Sequence, residues 1–183
     1  GATTHLINLI NSKQFSRIKF VIVTNKTNIA VKNILNSCNK NQINFIYYNS
    51  LNTFEINNFL LKILIFILRP FLFLTSIYQM FLIFRKFEFD LLLADCGGYG
   101  GFRSEMASIF ACRILKKRNL YLLIHHSYTK PKLWANLVDT FNILIRKFIN
   151  GVIFVSFATK KTIKNNTKLL NHYDKKKDIV IHN

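Results

Sequence analysis

The chain has 183 residues, half of them apolar, which is enough for a packed core and too hydrophobic for a disordered segment. Its 26 Lys and Arg oppose only eight Asp and Glu, and the net charge of +18 points to an anionic partner. Three cysteines, Cys38, Cys96 and Cys112, are odd in number and lack metal-like spacing, which argues against a disulfide framework and fits a reducing, cytoplasmic setting.

In chain order, short β-branched or aromatic runs alternate with segments of helical period. A helix over 3–13 leads to a strand at 18–24 (IKFVIVT), a helix over 27–39 and a strand at 43–49 (INFIYYN). The stretch from Phe59 to Phe84 is then apolar around its circumference except for Lys62, Arg69, Gln79 and a few hydroxyls. About 20 such residues can span a bilayer, but a charge and a helix-breaking proline stand together at Arg69-Pro70. The expectation is an inserted pair of helices, 54–68 and 70–86. They are either two very hydrophobic core helices or a pair with one face in the lipid interface, anchored by Lys62, Arg69, Arg85 and Lys86. Beyond them come a strand at 90–95, a glycine loop, a helix over 102–117, a strand at 120–126 and a helix over 132–149. That helix carries an apolar stripe from Trp134 to Phe148 and ends at Asn150-Gly151. A strand at 151–156, a helix over 157–171 and a strand at 178–183 complete the order. Such alternation predicts an α/β fold with a parallel, doubly wound sheet. The chain opens on a helix and stops after an apolar run, so we expect a domain truncated at both ends, its first strand missing.

In such sheets ligands sit beyond the carboxyl ends of the strands. Gly97, Gly98, Gly100 and Gly101 follow one strand end, and the backbone N–H groups there can seat a phosphate or sugar hydroxyls. Arg103 is placed to add a charge-assisted contact, unless the loop is simply a tight turn. Glu105 suits the helix dipole better than base catalysis. The loop is a poor dinucleotide fingerprint, because Arg103 stands where a third glycine belongs and no acid ends the next strand. His125-His126 ends the following strand, and Ser156 the one after it. No other histidine is spaced to complete a metal site. Nucleic-acid surfaces favour arginine and exposed aromatics, whereas 19 of the 26 cations here are lysine and most Phe lie in apolar runs. We therefore expect no nucleic acid.

The ordered signals GATTHL, FEFDLLLAD with its glycine loop, LLIHHSY, FINGVIFVS and DIVIHN together resemble the amino-terminal half of a GT-B fold glycosyltransferase of family 4. The family's first loop typically reads Gly-Gly-Ala-x-x-His-Leu, one strand ends in His, another in Ser, and the last runs into Ile-Pro-Asn-Gly. Here Asn150-Gly151 replaces a common Ala-Asp, and His182 stands in place of proline. The resemblance implies a Rossmann-like acceptor-side domain spanning 1–183, and sugar transfer from a nucleotide-sugar that a carboxy-terminal domain holds. It further implies a retaining reaction and no metal or other cofactor. With the hydrophobic stretch and its basic surroundings, we expect a glycan or lipid-linked acceptor at the inner face of the cell membrane. Carried over, His125, or else His126, contacts the transferred sugar or departing phosphate. Gly1, Ala2 and Thr3 form the first loop near the donor phosphates, and Ser156 touches the cleft. The remaining alternative is a non-catalytic basic α/β domain that binds membrane or nucleic acid.

Overall fold

The computed structural model describes residues 2–26, 28, 30–39, 42–49, 59–97, 104–126, 143–167, 169–170 and 178–181. They fall into two compact units, Gly1–Asn52 and Thr53–Asn183.

In the first unit, α1 (Ala2–Asn11) and a 3-10 turn (Lys13–Phe15) precede β1 (Phe20–Asn25), α2 (Ala30–Ser37) and β2 (Ile43–Tyr48). The two strands pair in parallel, from Phe20 opposite Ile43 to Asn25 opposite Tyr48. Period-two spacing puts Phe20 and Ile22 on one face with Ile43 and Phe45. That face packs on Ile10, Ile34 and Cys38, with Leu6 and Ile7 beside them. Asn28 opens α2, its Oδ1 accepting from the Ala30 N–H at 3.0 Å while its Nδ2 donates to Thr24 Oγ1 at 2.8 Å.

The second unit runs α3 (Phe59–Phe84), β3 (Leu92–Cys96), α4 (Ser104–Ile114), β4 (Leu120–Ile124), α5 described over 143–148, β5 (Gly151–Phe154), α6 (Phe157–Asn166) and β6 (Ile179–Val180). Its strands are all parallel in the order β3-β4-β5-β6. The protein is thus α/β with parallel strands, in two sheets. The reversal of strand order that defines double winding is present in neither sheet as described. β4 is an inner strand, with Leu122, Leu123 and Ile124 all buried, so both of its faces are covered. Edge-on contacts of Phe110 with Phe73 and Phe148 bring α3, α4 and α5 together on one face.

The expected helical pair is instead one helix of 26 residues, with Pro70 inside it. A proline in a helix interior costs about 3 kcal/mol. Here the helix continues on both sides, and Phe73, Met80 and Phe84 are buried on the side that packs on α4. Other elements are shorter than the periodicity suggests, since the strand at 120–126 stops at Ile124 and the helix over 157–171 stops at Asn166. Most of the helix expected over 132–149 lies outside the described residues.

Side chains pin the amino end of this sheet. Asn119 donates from Nδ2 to the Asp90 carbonyl at 2.9 Å, and its own carbonyl accepts from Leu92 N–H at 2.9 Å. Asn150 grips Leu120 twice, its N–H donating to the Leu120 carbonyl at 2.7 Å and its Oδ1 accepting from Leu120 N–H at 3.0 Å. Arg146, buried on α5, makes a two-pronged bridge to Asp178 at 2.7 and 3.1 Å, and Asp178 also accepts from Val152 N–H at 3.2 Å.

α4 ends with two return hydrogen bonds, Lys116 N–H to the Arg113 carbonyl at 3.0 Å and Lys117 N–H to the Cys112 carbonyl at 2.9 Å. This is the Schellman pattern, and it places Lys116 at φ 58°, where glycine is the usual choice. Lys117 then lies over the Phe89 ring, 4.6 Å from its centroid. A left-handed residue with a Cβ costs about 1 kcal/mol. Lys116→Gly should therefore stabilise the chain and raise Tm by about 2–4 °C, as thermal denaturation would show. Cys112, fully buried on α4, has its thiol pushed up to about 12 by burial against a smaller downward pull from Lys117. The thiol's ordinary value is 9.0, so this stabilising contribution is complete below about pH 9 and is lost as pH climbs toward 12. Denaturant titrations of the wild type and Cys112→Ala across that window should show the steeper decline in the wild type.

Candidate functional site

The parallel register places Asp95 opposite Leu123 and Cys96 opposite Ile124. His125 follows Ile124, and its N–H donates to the Cys96 carbonyl at 3.2 Å, so the β3–β4 ladder extends one residue beyond the strand. Alternation then puts Asp95, Leu123 and His125 on the same face. At the carboxyl end of that face, His125 Nε2 lies 2.8 Å from Asp95 Oδ1. The ring is buried, whereas the carboxylate side chain keeps 30% of its surface in solvent. The approach is short but not well aligned for a hydrogen bond, so its main content is electrostatic. A carboxylate at this distance helps to hold the imidazole in one orientation.

The neighbouring positions divide clearly. His126 is exposed, one residue past the last buried position of this run. Gly97 follows β3, and a Cβ built on it would meet nothing within 4 Å. Among the described residues nothing requires a glycine there, and the space is open to an approaching group. Ser156 stands just past β5, at the same end of the sheet, as the N-cap of α6. Its Oγ accepts from Thr159 N–H at 3.0 Å and lies 2.9 Å from Thr159 Oγ1. Its assured role is to cap this helix. Glu105 lies in the first turn of α4, where it complements the dipole.

Ala2 and Thr3 belong to the first turn of α1 rather than to a loop, and they lie in the first unit. Gly1, Gly98, Gly100, Gly101 and Arg103 lie outside the described residues, as do the side chains of Lys62 and Arg69. Arg85 and Lys86 are exposed in the turn after α3. Sequence reasoning missed Asp95. The available signal was an acid closing the apolar run DLLLAD immediately before a glycine loop.

Among the described residues no group of three or more His, Cys, Asp or Glu could hold a metal ion. Among them, too, no helix is long and apolar enough to cross a membrane. Compared with family models, characterised proteins and solved structures, the chain has no match in any of the three.

Because Gly97 has open space and no left-handed backbone, Gly97→Ala should leave stability within about 0.5 kcal/mol of wild type. A thermal melt checks this, and a loss of several degrees would mean that the loop depends on glycine for its own conformation.

Proposed function

We propose that the chain is the acceptor-side, amino-terminal half of a GT-B glycosyltransferase. It would transfer a sugar from a nucleotide-sugar to a membrane-associated glycan or lipid-linked acceptor, in the synthesis of a cell-surface polysaccharide at the inner face of the membrane. The observation that carries this reading is the buried His125 paired with Asp95 at the carboxyl ends of adjacent parallel strands, where ligands of such sheets sit. The ordered motifs along the chain support it. In this reading His125 contacts the transferred sugar or the departing phosphate, and Asp95 orients the ring. The acceptor approaches the backbone over Gly97, and the nucleotide rests on a second half of the enzyme. Two halves closing on their substrates would exclude water and limit hydrolysis of the donor. The non-catalytic alternative, a basic α/β domain that binds an anionic surface, draws its support from the net charge of +18.

The 183-residue chain alone should bind nucleotide-sugar weakly or not at all, and tight, saturable binding in a calorimeter would overturn the two-half reading. In protein carrying both halves, transfer of labelled sugar to membrane extracts should fall by about 10²-fold or more with His125→Ala. Asp95→Asn keeps the shape of the side chain but removes its charge, and should lower kcat by roughly tenfold or more with KM little changed. Full activity in both variants would leave the non-catalytic reading in place.

A further inference from the structure

α3 presents two opposite faces. Successive residues of a helix turn by about 100°, which brings Leu64, Ile67, Leu68, Phe71, Leu74 and Tyr78 into an arc of about 120° centred on Phe71. All six are exposed, Phe71 to 65% and Tyr78 to 63%. The residues half a turn away, Phe73, Met80 and Phe84, are buried. Within the strip, the exposed Thr75 hydroxyl donates to the Leu72 carbonyl at 2.8 Å, and Ser76, toward the buried face, donates to the same carbonyl at 2.8 Å, so each hydroxyl makes a bond inside the helix. The outcome is an apolar strip about 21 Å long on a helix fixed to its domain from the other side. Its area, on the order of several hundred Å², is that of surfaces that mark interaction sites.

Charge identifies the occupant. No Asp or Glu occurs between Phe59 and Phe84, and the helix is followed directly by Arg85 and Lys86, both exposed. The Arg85 N–H donates to the Phe81 carbonyl at 3.0 Å, so Arg85 continues the helical path and falls on the same side as the strip. A second copy of the chain docked here would set +18 against +18. A nucleic acid has no use for six exposed hydrocarbon and ring side chains. An anionic bilayer satisfies both features, because its interface accepts apolar side chains while its headgroups attract cations.

We propose that α3 is a membrane-docking helix that lies in the plane of an anionic bilayer. Leu64, Ile67, Phe71, Leu74 and Tyr78 enter the headgroup–acyl boundary, and Arg85 and Lys86 engage the headgroups. The inference is independent of the transfer reaction, and its test measures no activity. The 183-residue chain should float with vesicles of phosphatidylcholine containing about one third phosphatidylglycerol, and only weakly with phosphatidylcholine alone. Phe71→Ser with Leu74→Ser should lower partition by roughly tenfold or more. Arg85→Glu with Lys86→Glu should lower it by a similar factor and reduce its salt dependence. Circular dichroism tells whether each variant remains folded. A further probe leaves the strip otherwise intact: an environment-sensitive fluorophore on Tyr78→Cys, selective because Cys38, Cys96 and Cys112 are buried, should shift to the blue on anionic vesicles only. The proposal fails if folded Phe71→Ser, Leu74→Ser protein floats as the wild type does, since the net charge alone would then explain binding. It fails equally if the wild type does not float at low salt, or if it forms a dimer that the strip variants dissociate. Release from vesicles only by detergent would mean embedding rather than docking, and would overturn it as well.

Discussion

The register of β3 against β4 is the constraint on which the candidate site depends. With Asp95 opposite Leu123, the carboxylate and the His125 imidazole leave the sheet on one face and meet at 2.8 Å. A slip of one residue would send the two side chains to opposite faces, because strand side chains alternate. The apolar faces of β4 resist that slip, since Leu120, Leu122 and Ile124 fill one side while Leu123 and the buried His125 fill the other. Asn119 and Asn150 resist it from the other end by bonding to the backbone where β3 and β4 begin. Two amide side chains thus help to position the Asp95–His125 pair at the far end of the strands.

The β-α alternation was legible because each strand is a short apolar run bounded by polar residues and each helix has its own period. Ends were less legible. The apolar pattern carries the strand at 120–126 through both histidines, whereas the strand ends at Ile124 and the His125 N–H provides its last bond to β3. His125 differs from His126 in being buried beside Asp95, a partner that only the sheet supplies. Asp95 went unremarked for a related reason: it is local to β3 in sequence, and its meaning comes from a residue 30 positions later. α3 was split at Arg69-Pro70 by a local rule, whereas helical bonding on both sides and buried contacts of the second half outweigh one lost bond. Ser156 ends a strand in sequence, and the structure adds that its hydroxyl caps the next helix.

The two ends of the four-stranded sheet carry different burdens. At the amino end, polar side chains are bonded to one another or to the backbone, as with Arg146, Asp178 and the two asparagines. Removing one partner of a buried ion pair costs several kcal/mol, so such groups fix geometry more than they add stability. At the carboxyl end, Asp95 keeps part of its surface in water and a missing Cβ at Gly97 leaves open space. Rigidity at one end supports the partly exposed Asp95–His125 pair at the other.

α3 applies the same division across a helix instead of along a sheet. Its inner side is fixed by Phe73, which meets Phe110 of α4 edge-on, and by Met80 and Phe84. An outer strip of exposed Leu, Ile, Phe and Tyr adds nothing to the stability of an isolated chain and raises its tendency to self-associate. The charge of +18 counteracts that tendency by keeping copies apart. It opposes only contacts between like charges, however, so a surface of opposite sign meets the same strip with attraction. Net charge and apolar strip together therefore select against one class of contact and for another, which neither would do alone.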